Sequence, residues 1–214
     1  MSESAPIYQL NTHSSSVYQV RIDIKYITPP IWRRLLIPSY MKLDDLHLVI
    51  QSAFFWTNSH LHAFIYKNKY LSPAFPDEGE TEESELYNTL KIADLIHKKG
   101  DKVTYVYDFG DDWNHEIVLE EVLSRDELPD GKKTPLPLCT KGKRARPLED
   151  CGGVSGYEHF VKVLNNPKHP EYEDLLNWAG PYDFEYFDKE ILNEELQKEN
   201  YGLFVWDDED DFLF

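Results

Sequence analysis

The sequence predicts an α+β protein in which a helix packs on a β-grasp-like antiparallel sheet, followed by an acidic helical C-terminal extension. Three observations predict this: apolar residues alternate in several segments before about residue 125, one helical apolar stripe lies between them, and helical patterns prevail from about residue 156. With 214 residues, 41% of them hydrophobic, the chain supplies one core. We expect a flexible N-terminus at 1–16, a single domain at 17–187 and an acidic helix and tail at 188–214.

The first elements are predicted to be a hairpin and a helix. Residues 17–27 alternate with a half-buried face, Pro29 and Pro30 interrupt the pattern, and residues 31–37 resume it. Asp44 or Asp45 is then expected to cap a helix. The residues at helical spacing are Leu46, Val49, Ile50, Ala53 and Phe54.

The next segments predict further strands and then helices. A strand is expected at 60–66, a short helix or turn at 90–97, and a second hairpin from strands at 102–108 and 113–122. Gly110 is expected to supply a positive φ at the reversal between these two strands. Helices are expected at 156–164, 171–178 and 188–199, the last capped by Asp188.

Negative charge is concentrated in the C-terminal third. The chain carries a net charge of −17, and residues 149–214 hold 4 basic against 18 acidic side chains. This charge argues against a nucleic acid as the main ligand and favours a basic protein partner. The basic run at 132–146 is predicted to be a solvated loop, and the apolar residues among the terminal acids suggest a docking segment.

The sequence also favours a cytoplasmic protein without a membrane segment. It contains no apolar run near the roughly 18 residues that a spanning helix needs, and its first residues lack a secretory pattern. Cys139 and Cys151 are expected to be thiols or metal ligands, since two cysteines do not make a multi-bridge scaffold.

One set of residues has the composition of a metal site. His60 and His62 are expected to share one face of a strand and, with His115 and a carboxylate such as Asp111, to hold a divalent metal. Zinc is the first expectation, with manganese or iron next. Asp108 or Asp112 would be the catalytic base. The alternative, which we favour from sequence, is that these histidines are hydrogen-bonded structural residues.

Two further candidates depend on the tertiary fold. Arg33 and Arg34 follow Trp32 on a predicted strand, and one of them is expected to point inward or along the edge. An inward arginine requires a carboxylate, and Asp108 or the Glu149-Asp150 pair is the expected partner. Cys151 could act as a nucleophile only if His159 or His115 lies beside it.

The order of motifs resembles the plasmid pRiA4b ORF-3-like family, which includes transposon-borne passenger proteins. The motifs are PPIWRR at 29–34, LDDLHLVIQSAFFW at 43–56, SHLHAF at 59–64, YDFGDDWNHEI at 107–117, CTKGKRARPLEDCGG at 139–153, GYEHF at 156–160 and NPKHPEY at 166–172. Family-motif positions include Trp32, Arg33, Gly110, Trp113, Cys139, Glu149, Asp150, Cys151, Gly152 and Gly153. The resemblance implies no established activity. The family's central loop commonly has three cysteines, and this chain has Arg146 at the middle position.

Three functions therefore stay open. We favour a non-enzymatic protein-binding module over a metal-dependent, hydrolase-like enzyme that uses the histidine and aspartate residues. The third is a mobile-element-associated protein that binds nucleic acid through residues 132–146.

Overall fold

The fold is built on an eight-stranded sheet, seen in a computed structural model that describes residues 16–73, 84–87 and 89–203. The sheet order is β5-β4-β3-β6-β7-β1-β2-β8, and every neighbouring pair is antiparallel except β4 with β5. The strands are β1 (Ser16–Ile24), β2 (Trp32–Pro38), β3 (His62–Tyr66), β4 (Lys69–Ser72), β5 (Ser84–Leu86), β6 (Lys102–Tyr107), β7 (Trp113–Ser124) and β8 (Leu138–Lys143). Residues 1–15 of the predicted N-terminus and 204–214 of the predicted tail lie outside the described part of the chain.

Both predicted hairpins are present, and they meet in the sheet because β1 pairs with β2 on one side and with β7 on the other. Along β1 the side chains of Tyr18, Val20, Ile22 and Ile24 are buried, in agreement with the alternation. β1 ends earlier than predicted, and Tyr26 follows with a positive φ of 68° in the turn to β2.

The α-helices are α1 (Leu43–Ala53), α2 (Ile92–Leu95), α3 (Gly153–Leu164), α4 (Tyr172–Ala179) and α5 (Lys189–Glu195). The predicted cap of α1 is wrong: its N-cap is Lys42, and Asp44 and Asp45 lie in the first turn, where carboxylates favour the positive end of the helix dipole. The predicted cap of α5 is confirmed, because the side chain of Asp188 accepts hydrogen bonds from the amides of Glu190 and Ile191.

A continuous core joins one face of the sheet to these helices. The apolar stripe of α1 and the inner residues of β1, β6 and β7 are buried in the same cluster as Phe160 of α3 and Leu192 of α5. The helical part of the chain therefore shares the core of the sheet. Among the described residues, no helix is both long and apolar enough to cross a bilayer.

The prediction of a loop throughout 132–146 is wrong, because β8 lies within it and forms an edge of the sheet. α5 covers this edge with the side-chain amide of Asn193. That amide accepts a hydrogen bond from the Cys139 N–H at 2.7 Å and donates one to the Cys139 carbonyl at 3.0 Å. Asn193 thus satisfies backbone groups that an edge strand otherwise leaves unpaired.

Candidate metal centre

One histidine and two carboxylates converge at the end of the sheet where β3 begins and β6 ends. His60 Nδ1 lies 3.7 Å from Asp108 Oδ2, and His60 Nε2 lies 3.4 Å from Asp150 Oδ1. One candidate ligand atom from each residue lies within 4.8 Å of the other two, and the described residues contain no other such group of histidine, cysteine and carboxylate side chains. Side-chain exposure rises from 12% for Asp108 through 28% for His60 to 74% for Asp150. The cluster is therefore anchored in the fold on one side and open to solvent on the other.

Backbone amides orient the Asp108 carboxylate. Oδ1 accepts hydrogen bonds from the amides of Gly110, at 2.9 Å, and Asp111, at 3.3 Å, so Oδ2 is the oxygen that faces His60. The positive φ predicted for Gly110 falls instead on Asp108 (56°) and Asp112 (54°). An aspartate tolerates this conformation because its carboxylate bonds the local backbone. The turn that reverses the chain thus orients the Asp108 carboxylate toward His60.

Asp150 is held by its neighbour Glu149. The Glu149 carboxylate accepts hydrogen bonds from the Thr57 amide and hydroxyl and, at 2.6 Å, from the Tyr107 hydroxyl. Burial raises the pKa of Tyr107, and the hydrogen bond to Glu149 raises it further, so the phenol remains a donor. Because Thr57 lies three residues before His60, these bonds fix the loop that carries Asp150 beside the histidine.

Gly153 allows this loop to approach the hairpin turn. It adopts a φ of 66°, and a Cβ at this position would overlap the carbonyl oxygen of Asp111. The Gly152 amide also donates a hydrogen bond to Asp111 Oδ2 at 3.2 Å. Asp111, a predicted metal ligand, therefore ties the two loops together.

His62 does not join His60, contrary to the prediction of a shared metal. β3 starts at His62, so His60 lies before the regular strand. The His62 ring stacks on His47, with centroids 3.4 Å apart, and its Nε2 contacts the Tyr87 hydroxyl. Burial, together with the neighbouring His47, lowers the pKa of His62 to about 2.

His115 is also a core residue rather than a member of the cluster. It is fully buried, its Nδ1 lies 3.3 Å from the Tyr105 carbonyl, and its Nε2 has no hydrogen-bond partner among the described residues. The rings of Phe54 and Trp56 lie close to it. Burial lowers its pKa to about 4.

Asp112 lies apart from His60 as well. It borders a surface depression with Ile65, Val106 and Asn114, which point away from the sheet face that buries Phe64 and Tyr105. The predicted pairing of Asp112 as a base with His60 as a metal ligand is therefore not what the geometry shows.

Of the two arginines, Arg33 is the one that points inward, but without the expected carboxylate. Its Nε donates to the Ala53 carbonyl at 2.9 Å, and its Nη1 donates to the carbonyls of Trp32 and Lys143. Ala53 ends α1, so its carbonyl has no partner within the helix and lies at the negative end of the helix dipole. The rings of Phe54 and Phe187 stand 5.0 and 4.2 Å from the guanidinium carbon.

The cysteines do not have the environment of nucleophiles. Burial, together with the charges of Asp111 and Asp150, raises the pKa of Cys151 to about 12. Burial likewise raises the pKa of Cys139 to about 11. His159, the base considered for Cys151, pairs instead with Glu171, with a distance of 2.6 Å between Nε2 and Oε2.

The two motif tryptophans have structural environments. Trp32 is half-buried, and the guanidinium groups of Arg21 and Arg34 lie over its ring. Trp113 is fully buried, and its Nε1 has no partner among the described residues. Neither indole therefore belongs to the His60 cluster.

A buried polar network beside His62 was missed by the sequence analysis. The Asn58 amide donates to Gln51 Oε1, Gln51 Nε2 donates to the Tyr105 hydroxyl, and that hydroxyl donates to His47 Nδ1 at 2.8 Å. His47 Nε2–H donates to Asn58 Oδ1 at 2.7 Å. His47 and Gln51 are four residues apart on the apolar face of α1, and this spacing was the available indication.

Comparisons with known proteins agree with this fold. The model of the plasmid pRiA4b ORF-3-like protein family matches residues 16–191. The "Uncharacterized protein y4hQ" of Sinorhizobium fredii is 31% identical over 172 residues, which cover 80% of this chain and 84% of that protein. The crystal structure of a protein of unknown function, MM3350 from Methanosarcina mazei Go1, has a TM-score of 0.72 and 36% identity, covering 83% of this chain and 97% of that one.

Proposed function

We propose that this chain, which belongs to the plasmid pRiA4b ORF-3-like family, binds a divalent metal ion through His60, Asp108 and Asp150. The observation that carries the proposal is the approach of three ligand atoms to within 4.8 Å of one another. Such atoms are separated by roughly 3–4 Å when each lies about 2.1 Å from one ion, so small side-chain movements complete the site.

The donor set indicates which ions fit and what they do. One imidazole nitrogen with two carboxylates suits zinc or manganese better than a soft metal. Three protein ligands leave coordination positions for water, and a bound divalent ion lowers the pKa of that water toward neutrality. The exposure of Asp150 leaves a path for a substrate. A metal-dependent hydrolytic reaction is therefore the activity that we propose.

The test is metal binding by the full chain purified without chelator or metal-affinity resin. We expect about one zinc or manganese ion per chain by elemental analysis and a one-site isotherm by calorimetry. His60→Ala and Asp150→Asn should each weaken binding at least tenfold. Asp112→Asn is the matched control, because it removes a carboxylate from the same hairpin on the other face of the sheet.

The competing chemistry is a protonated His60 that pairs with both carboxylates. In that case all four proteins bind neither ion at millimolar concentration, and the metal proposal fails. Equal loss of binding in Asp112→Asn and Asp150→Asn would also contradict the assigned ligands.

The second candidate function is binding of a basic protein partner. Residues 149–203 carry 13 acidic and 4 basic side chains, and Trp178 and Tyr186 are 51% and 55% exposed among them. A salt-dependent change in fluorescence on adding a lysine-rich peptide, reduced in Trp178→Ala, would support it. No binding at low salt would exclude it.

Nucleic-acid association, the β-grasp-like fold, the C-terminal extension and a cytoplasmic location are further parts of the proposal. Nucleic-acid or mobile-element association has less support, because the acidic charge just described opposes it. The helix α1 on the face of the sheet supports a β-grasp-like interpretation, and the acidic composition of residues 149–203 supports a C-terminal extension. The free thiols of Cys139 and Cys151 are consistent with a cytoplasmic location.

A further inference from the structure

A second site is indicated by a cavity of about 240 Å³ between the end of α1, residues 145–146 and the start of α5. Its apolar walls include Phe55, Phe187 and Ile191. This volume is below the 300–1,000 Å³ typical of drug-sized pockets and equals that of about eight liquid waters. The cavity therefore has room for a molecule with one small ring.

Arg33 brings an uncompensated positive charge to this cavity. Arg33 is only 1% exposed. Its Nε and Nη1 donate three hydrogen bonds to neutral backbone carbonyls, and its Nη2 has no acceptor among the described residues. Burial lowers the pKa of Arg33 to about 10, and the charge of Arg146 acts in the same direction. The group is still a cation at neutral pH. A buried cation without an anionic partner is uncommon in proteins.

Arg146 adds a second cation in the same cavity wall. Its Nε is buried and has no hydrogen-bond partner within the described part of the chain, and no ion pair joins its guanidinium to a described carboxylate. The Tyr182 hydroxyl bonds only the backbone carbonyl of Arg146. Two guanidinium groups thus line the same cavity, and their like charges repel each other.

The remaining charge in the lining is Asp188. Its Oδ1 accepts hydrogen bonds from the first amides of α5 and makes no ion pair with Arg33 or Arg146. Two arginines and one aspartate leave a net charge of +1 on the cavity wall. This sum favours a monoanion over a dianion.

We propose that the cavity binds a small aromatic carboxylate, whose carboxylate lies between Arg33 and Arg146 and whose ring contacts Phe55 and Phe187. Arg33 has only its Nη2 left to donate to the carboxylate, so the second charge-assisted hydrogen bond has to come from Arg146, and the apolar wall removes the ring from water. This site shares no residue with the His60 cluster, so it does not depend on the proposed metal.

The test uses benzoate as the probe and benzamide as its neutral analogue, with EDTA present to exclude metal effects. We expect the full-length protein to bind benzoate at least tenfold more tightly than benzamide in ligand-observed NMR titrations. Arg146→Gln should remove that preference. Lys141→Gln, which removes an exposed cation from the neighbouring β8, should retain it.

Arg146 is the residue to change, because Arg33 also holds three backbone carbonyls and its replacement is expected to impair folding. Circular dichroism should show that Arg146→Gln folds like the parent. The proposal is overturned if benzoate binds no more tightly than benzamide, if both variants lose the preference equally, or if phenyl phosphate binds more tightly than benzoate.

Discussion

The buried network around His47 makes a defined prediction about acid stability. His47 is 5% exposed, and burial lowers its pKa to about 4, from 6.5. Its Nδ1 accepts the Tyr105 proton, so protonation of Nδ1 would also remove the acceptor of that hydroxyl. The neutral ring is therefore the form that the folded protein holds.

The sign and size follow from proton linkage. Between pH 6.5 and about 4, His47 binds a proton in the unfolded state but not in the folded state, so stability falls as the pH falls over this interval. The loss is up to about 1.4 kcal/mol per pH unit for His47 and roughly 3 kcal/mol over the whole interval. His62 and His115, which also have lowered pKa values, add to the slope in the same direction.

The assay is urea unfolding followed by tryptophan fluorescence at several pH values between 7 and 4. His47→Gln should be less stable at pH 7 by about 1–3 kcal/mol, because it alters two buried hydrogen bonds. As the pH decreases, its stability should then fall less steeply than that of the parent. The difference in slope should correspond to about one bound proton. His97→Gln removes an exposed histidine and should keep the parental slope.

The reasoning would be refuted if His47→Gln lost stability between pH 6.5 and 4 as steeply as the parent. A parent protein of constant stability over that interval would refute it equally.

Three other changes follow from individual contacts. Asn193→Ala should lower the free energy of unfolding by about 1–3 kcal/mol, since it leaves backbone groups of β8 unpaired, and an unchanged urea midpoint would contradict this. Trp56→Phe should cost about 1 kcal/mol more in stability than Trp113→Phe, because the Trp56 indole donates to the Pro147 carbonyl at 3.2 Å and the Trp113 indole has no acceptor among the described residues. Equal costs by urea unfolding would refute that difference. Iodoacetamide at pH 8 should alkylate Cys151 about a thousandfold more slowly in the folded protein than in urea, and equal rates would contradict its raised pKa.

The sequence predicted the elements whose patterns are local. Alternation in β1 and the stripe of α1 identify buried faces because each depends only on side-chain spacing. β8 was missed because its lysines and its glycine resemble a solvated loop, and its partner Asn193 lies 54 residues away. The positive φ values of Asp108 and Asp112 were assigned to Gly110, since glycine is the usual residue there.

The candidate site was predicted only in part because its residues come from distant segments. His60 and Asp108 were candidates from composition, whereas Asp150, 42 positions after Asp108, was named only as a motif residue and as a possible partner of an arginine. The hydrogen-bond partner of Arg33 was not predicted for the same reason, because it comes from a distant segment. Its carbonyl partner on Ala53 depends on how α1 ends against β2, and no residue pattern reports that contact.

The end of α1 is the physical link between the two proposed sites. Ala53 holds Arg33 in the cavity wall, Trp56 holds the Pro147 carbonyl between Arg146 and Glu149, and Thr57 holds Glu149 next to Asp150. The segment from Arg144 to Gly153 contains no helix or strand over most of its length, yet it is bonded at intervals to a buried helix end. A loop anchored in this way presents its side chains in fixed positions, which is what a metal centre and a small-molecule pocket both require.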